Sequence, residues 1–163
     1  MAAKKKFSWK AGQNSAQNAV EVLPSLARAF FTQGKSLTPR VKLKALHSFR
    51  IQAKRFRDTL ELFRPCYTLR LERLLKSLRD IQQILGELND LATTCQMISD
   101  RGFAKSQLPV LDSLETRLAE KAEQFFSLWK QTFARQGEER RWVNYLAGGT
   151  PNLTKPIRKR DAT

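Results

Sequence analysis

The chain has 163 residues, of which 41% are hydrophobic and 28% are charged, a composition typical of one folded globular domain and not of a disordered chain. Its formal net charge of +15 indicates a polyanionic partner such as nucleic acid, polyphosphate or an anionic membrane surface. No apolar run approaches the roughly 20 residues that span a bilayer, and the basic N-terminus lacks the apolar segment of a signal peptide. We therefore expect a cytoplasmic protein without membrane insertion.

The first part of the chain predicts a basic arm followed by two helices. Residues 1–13 are rich in lysine and are expected to be flexible. A first helix is predicted over 14–34, split or kinked at Pro24 because proline removes a backbone N–H. A second helix is predicted over 38–64, with a Thr-Pro start and a stop at Pro65.

The rest of the chain predicts two more helices and a basic tail. The third helix is expected over 68–101 and the fourth over 106–146, with Gly137 as a weak point. The glycine- and lysine-containing segment 147–163 is expected to be a flexible tail. No strand pattern occurs, so the fold class predicted for residues 14–146 is all-α, an antiparallel bundle of about four long helices.

The second helix carries two opposed rows of side chains. At about 100° per residue, one sector contains a histidine, three cations and a carboxylate: His47, Arg50, Lys54, Arg57 and Glu61. The apolar side, nearly opposite, is predicted to contain Ala45, Phe49, Ala53, Phe56, Leu60 and Phe63. Like charges three or four residues apart repel by a few tenths of a kcal/mol, roughly, per pair, so we expect an anionic ligand to offset this cost.

The third helix supplies a matching polar row beside a leucine stripe, namely Lys76, Arg79, Gln83, Glu87 and Asp90. Segment 40–80 contains twelve Lys and Arg against four Asp and Glu, so much of the positive charge lies on these two helices. Two adjacent helices would join their rows into one basic groove, in which arginine forks bind phosphate oxygens and carboxylates such as Glu61 and Asp90 orient the cations.

Other motifs give weaker indications. His47 alone is more often a packing or hydrogen-bonding residue than a metal ligand or a base, and no nucleophile motif or suitably spaced cysteine accompanies it. We therefore predict no catalytic residue, no metal and no other cofactor. Gly86, inside a predicted helix, favours a close helix crossing, with Asn89 in a structural hydrogen bond.

Two segments resemble the CHAD domain, the conserved-histidine α-helical domain. They are LHSFRIQAKRFRDTLELF at 46–63, similar to the family signature LHxxR[IV]xx[KR]R[LF]R, and LLKSLRDIQQILGELND at 74–90, similar to its companion helix. The resemblance implies a helical protein that binds inorganic polyphosphate in a basic channel, in some members at polyphosphate granules. It places the polyphosphate-binding residues at His47, Arg50, Lys54, Arg57, Lys76 and Arg79, and also at Arg55 and Arg73. Orienting or structural polar roles are expected for Glu61, Gln83, Asn89 and Asp90.

The resemblance also implies a duplicated architecture, whereas this chain contains one signature and is therefore expected to be a half-length, single-repeat member. Two copies could rebuild the duplicated form, so a homodimer is predicted, with Trp142 and Tyr145 contributing to the contact. The leading interpretation is a non-catalytic polyphosphate-binding protein. Its alternatives are a basic protein associated with RNA or DNA, and an accessory subunit of an enzyme that processes polyphosphate or triphosphate.

Overall fold

The structure, a computed structural model, describes residues 10–38, 43–101 and 108–148, and in this part of the chain it contains five α-helices and no β-strand. The helices are α1 (Ser15–Lys35), α2 (Leu43–Leu62), α3 (Arg70–Asp100), α4 (Leu108–Thr132) and α5 (Glu138–Gly148), with a 3₁₀ turn at Arg64–Cys66. The all-α class is confirmed. The predicted starts of helices two and four, most of the arm and nearly all of the tail lie outside the described residues.

The start of α1 is fixed by side chains that cap its free backbone N–H groups. The Gln17 N–H donates to Asn14 Oδ1 at 2.8 Å, and the Asn14 N–H donates to Gln17 Oε1 at 2.9 Å, which is a capping box. The buried Asn18 amide donates to the Lys10 carbonyl oxygen at 3.2 Å and so holds the chain before the helix against α1. Pro24 lies inside α1 and does not divide it, so the predicted split at this residue is wrong.

The single helix predicted over 106–146 is also wrong, because the structure divides it into α4 and α5. The Ala134 N–H donates to the Trp129 carbonyl oxygen five residues earlier, at 2.9 Å, which closes α4. Gly137 follows with a φ of 76°, a left-handed conformation that glycine adopts without the steric cost paid by other residues. Glu138 and Glu139 then occupy the first turn of α5, where the helix dipole favours negative charge.

Aromatic side chains from α1, α2 and α4 form the centre of the core. The Phe30 ring lies at the middle, with ring centroids 5.2–5.5 Å from those of Phe31, Phe49, Phe56, Trp129 and Phe133. Gly34 is required by this packing, because a Cβ at this position would lie 2.1 Å from the Trp129 ring. Burial of rings such as Phe30 stabilises a fold by about 3–5 kcal/mol each relative to alanine.

The core fixes which side of α2 points inward and therefore which side is free for binding. The buried residues of α2 and the turn after it are Leu46, Phe49, Ala53, Phe56, Leu60 and Phe63. The predicted apolar side is confirmed except at its edge, where Ala45 is exposed and Leu46 takes its place. The larger leucine side chain buries more apolar surface than alanine would, which favours Leu46 at this edge of the core.

Besides the shared aromatic core, the most extensive helix contacts are those of α1 with α2 and α5, and of α3 with α2 and α4. The Tyr67 hydroxyl donates to the Leu146 carbonyl oxygen at 2.8 Å, and burial raises the pKa of this tyrosine. Trp142 is only 2% exposed and therefore not available for the predicted dimer contact, whereas Tyr145 packs against Tyr67 and stays half-buried. No helix in the described ranges is both long and apolar enough to cross a membrane.

Candidate functional site

Helices α2 and α3 lie antiparallel, and polar side chains of both helices meet along one surface, which we call the seam. Three side-chain pairs show which residues of α2 and α3 stand opposite each other. Residue numbers rise along α2 as they fall along α3, as expected for antiparallel helices. These pairs are His47 Nδ1 with Asn89 Oδ1 at 3.2 Å, Arg57 Nη1 with Gln82 Oε1 at 2.6 Å, and Glu61 Oε1 with Arg79 Nε at 3.7 Å. The predicted meeting of the two helices is therefore present, with His47 at one end of the seam and Glu61 at the other.

The Glu61 end of the seam is electrically compensated. The same Glu61 oxygen, Oε1, lies 3.7 Å from Arg57 Nε and 3.7 Å from Arg79 Nε, so one carboxylate serves two guanidinium groups. Arg57 also donates to Asp58 Oδ1 at 2.8 Å and to Gln82. Both cations at this end therefore have internal acidic partners, and any external anion must compete with them.

At the His47 end, two cations lack such partners among the described residues. Arg50 is half-buried and Lys54 is exposed, and neither side chain forms a hydrogen bond or an ion pair with any described residue. Arg55 lies beside them, because all three side chains line one shallow depression on α2, together with Asp58. The four-residue spacing between Arg50 and Lys54 places both charges on the same side of the helix.

Two further predicted cations lie on α3 away from this depression. Lys76 pairs with Asp80 on its own helix at 2.8 Å, and its side chain is 73% exposed. Arg73 is exposed one turn earlier, and its side chain forms no hydrogen bond or ion pair with any described residue of α2. The structure thus brings Arg50, Lys54 and Arg55 together, but it leaves these two cations outside that group.

The polar row predicted on α3 is divided between two surfaces. Gln83 donates to Glu87 Oε1 at 3.5 Å, and the other oxygen of Glu87 pairs with Lys121 Nζ of α4 at 2.5 Å. The hydrogen bond from Lys121 lowers the pKa of Glu87 below its usual range. Gln83 therefore belongs to the α3–α4 surface, and the exposed Asp90 carboxylate has no partner among the described residues.

Gln82 and Lys121 take part in these polar contacts, although neither was predicted as a site residue. Gln82 follows Arg79 by three residues and so shares its side of α3, which is the available sequence signal. Lys121 lies on another helix, and only the packing of α4 against α3 brings it near Glu87. In the described part of the chain, Arg57 Nε and Gln82 Nε2 are buried donors without a hydrogen-bond acceptor.

The seam lies inside the part of the chain that matches a known family. The profile of the CHAD domain matches residues 2–99, more than half of the chain. The chain belongs to the CHAD domain family. No curated protein and no solved structure matches it. The matched residues of this CHAD protein contain α1, α2 and nearly all of α3, whereas α4 and α5 follow the match.

Proposed function

We propose that this CHAD protein binds inorganic polyphosphate along the seam and does not itself catalyse a reaction. The observation that carries the proposal is the absence of a carboxylate partner for Arg50 and Lys54 among the described residues. Their charges repel each other by roughly a few tenths of a kcal/mol. A linear anion lying along α2 would attract both cations and offset this repulsion. The family's association with polyphosphate and triphosphate supports a phosphate chain as this anion.

The donors of the seam suit phosphate oxygens. An arginine guanidinium offers two parallel N–H donors to one phosphate, and a lysine adds a mobile point charge. From His47 to Arg57 the α2 backbone rises by about 15 Å, which is long enough for several units of a phosphate chain. At the far end, Arg57 Nε and Gln82 Nε2 are donors that still need acceptors, so a longer chain gains contacts there if it displaces Glu61.

Binding without catalysis is favoured by the state of the two thiols. Burial raises the pKa of both Cys66 and Cys95, which keeps each thiol protonated and weakly nucleophilic at neutral pH. His47 is engaged with Asn89 across the seam. The alternative of an accessory subunit predicts release of phosphate only when a partner enzyme is added, whereas intrinsic release of phosphate from polyphosphate would contradict the proposal.

The test is a pair of titrations at a series of salt concentrations. Long-chain polyphosphate and a single-stranded oligonucleotide with the same number of phosphates are titrated into the full chain, and dissociation constants are measured. We expect polyphosphate to bind at least tenfold more tightly at every salt concentration. Log affinity should fall with log salt by about 0.7 for each neutralised charge, and Arg50→Ala with Lys54→Ala should reduce this slope by about 1.4. Equal affinities for the two polymers would instead favour the nucleic-acid alternative.

A further inference from the structure

Gly86 occupies the middle of α3 without any packing reason for a glycine. A Cβ built at Gly86 would meet no atom within 4 Å, in contrast to Gly34, where a Cβ would collide with Trp129. Glycine weakens a helix relative to alanine, because it loses more backbone freedom on folding. The close helix crossing predicted at Gly86 is therefore wrong, and the space beside its Cα is open.

The register of the seam places this open space opposite the uncompensated cations. Gln82 and Asn89 bond to α2 from positions four residues before and three residues after Gly86, so all three share the side of α3 that faces α2. On α2, Arg50 and Lys54 lie between the partners of those two residues. We call the open space beside Gly86, bounded by Gln82 and Asn89, the Gly86 recess.

We propose that the Gly86 recess receives one phosphate group of the chain and makes the seam selective for inorganic polyphosphate over nucleic acid. This inference rests on the proposed function. Without a Cβ at Gly86, a tetrahedral phosphate can sit below the rim of α3 while Arg50 and Lys54 reach it from α2. An internal phosphate of polyphosphate is joined on both sides to another small phosphate group, so its neighbours can follow it into the seam.

The phosphate of a nucleic acid differs in what flanks it. Both of its bridging oxygens are bonded to sugar carbons, and each sugar carries a base. These bulky groups keep the phosphate out of the Gly86 recess. Arg50 and Lys54 still attract it, but only through their charge. A nucleic acid therefore uses the charge of the seam alone, whereas polyphosphate uses both its charge and its shape.

The test fills the recess and compares the two polymers. Gly86→Ala and Gly86→Leu are titrated with polyphosphate and with the matched oligonucleotide. We expect polyphosphate affinity to fall about threefold with alanine and more than tenfold with leucine, while oligonucleotide affinity changes less than twofold. Both variants should melt at a temperature no lower than that of the unaltered protein, since either residue favours a helix more than glycine does.

Gly148→Ala is the matched control, because a Cβ at Gly148 also meets no atom within 4 Å and the residue lies on α5. It should leave both affinities unchanged. Unchanged polyphosphate affinity in Gly86→Leu, or an equal loss for both polymers, would overturn the recess inference. If Arg50→Ala with Lys54→Ala abolishes polyphosphate binding in the same assay, the proposed function still stands. Failure of the unaltered protein to bind polyphosphate would instead reject the proposed function itself.

Discussion

At one end of the seam, Arg57 and Arg79 share the carboxylate of Glu61, whereas at the other end Arg50 and Lys54 have no acidic partner among the described residues. Each end carries two cations, Arg57 of α2 and Arg79 of α3 at the first, and Arg50 and Lys54 of α2 at the second. The two ends differ in how much of the positive charge is already compensated. A basic row in the sequence identifies where cations lie, whereas the contacts within the fold decide which of them can attract a ligand.

The largest effect is expected from charge reversal at the uncompensated end. Arg50→Glu with Lys54→Glu removes two charge-assisted contacts, each worth about 1.5–3 kcal/mol, and adds repulsion. Polyphosphate affinity, measured by calorimetric titration, should fall by about 100-fold or more. The melting temperature should change little, because neither side chain forms a hydrogen bond or an ion pair with a described residue that the substitutions would break.

Lys76→Glu with Arg79→Glu is the matched double variant, because it changes the net charge of the protein by the same amount. Both of these cations already have carboxylate partners, Asp80 and Glu61, so less of their charge is available to the anion. We expect an affinity loss of about tenfold or less. Equal losses in the two double variants would show that only the net charge matters, and that the two ends do not differ.

A smaller effect, an increase in polyphosphate affinity, is expected when the carboxylate at the Glu61 end is removed. Glu61→Gln removes the carboxylate that serves Arg57 and Arg79, and should raise polyphosphate affinity about two- to fivefold. The two 3.7 Å separations exceed hydrogen-bond length, which favours charge compensation over a fixed orienting role for Glu61. Weaker binding by this variant would support the orienting role that the sequence analysis predicts.

The smallest effect on polyphosphate affinity is expected at Asn89, the α3 partner of His47. Asn89→Ala removes its hydrogen bond with His47 but leaves the imidazole and both uncompensated cations in place. The free energy of unfolding, measured with urea, should fall by about 0.5–1.5 kcal/mol. Polyphosphate affinity should change by less than about threefold. A loss as large as that of the Arg50–Lys54 double variant would mean that the His47 end depends on this bond and not on free charge.

Much of the fold follows from periodicity in the sequence. The apolar positions of α2 predict its buried side to within one residue, because a helix repeats every 3.6 residues whatever it packs against. Periodicity does not determine the edge of that side, and so Leu46 replaces Ala45. The break between α4 and α5 was less visible, since Gly137 is tolerated inside helices as well as between them.

The candidate site was harder to predict, because a site between helices depends on their register. Each row could be found on its own helix, but the sequence contains no signal for which residues of α2 and α3 stand opposite each other. Gln82 was therefore missed, and Gln83 was assigned to the seam although it faces Glu87 and α4. The homodimer stays a prediction, and its contact must lie elsewhere than on the buried Trp142.

The most direct test of the difference between the two ends is an NMR titration of the unaltered protein. The side-chain Nε–Hε signals of its arginines are followed in ¹⁵N-labelled protein as long-chain polyphosphate is added. We expect Arg50 to shift at the lowest polyphosphate concentrations and Arg79 only at higher ones, while Arg28 of α1 and Arg117 of α4 change little. Parallel shifts of all four arginines would show diffuse attraction to a basic protein, and would contradict a binding site at the uncompensated end of the seam.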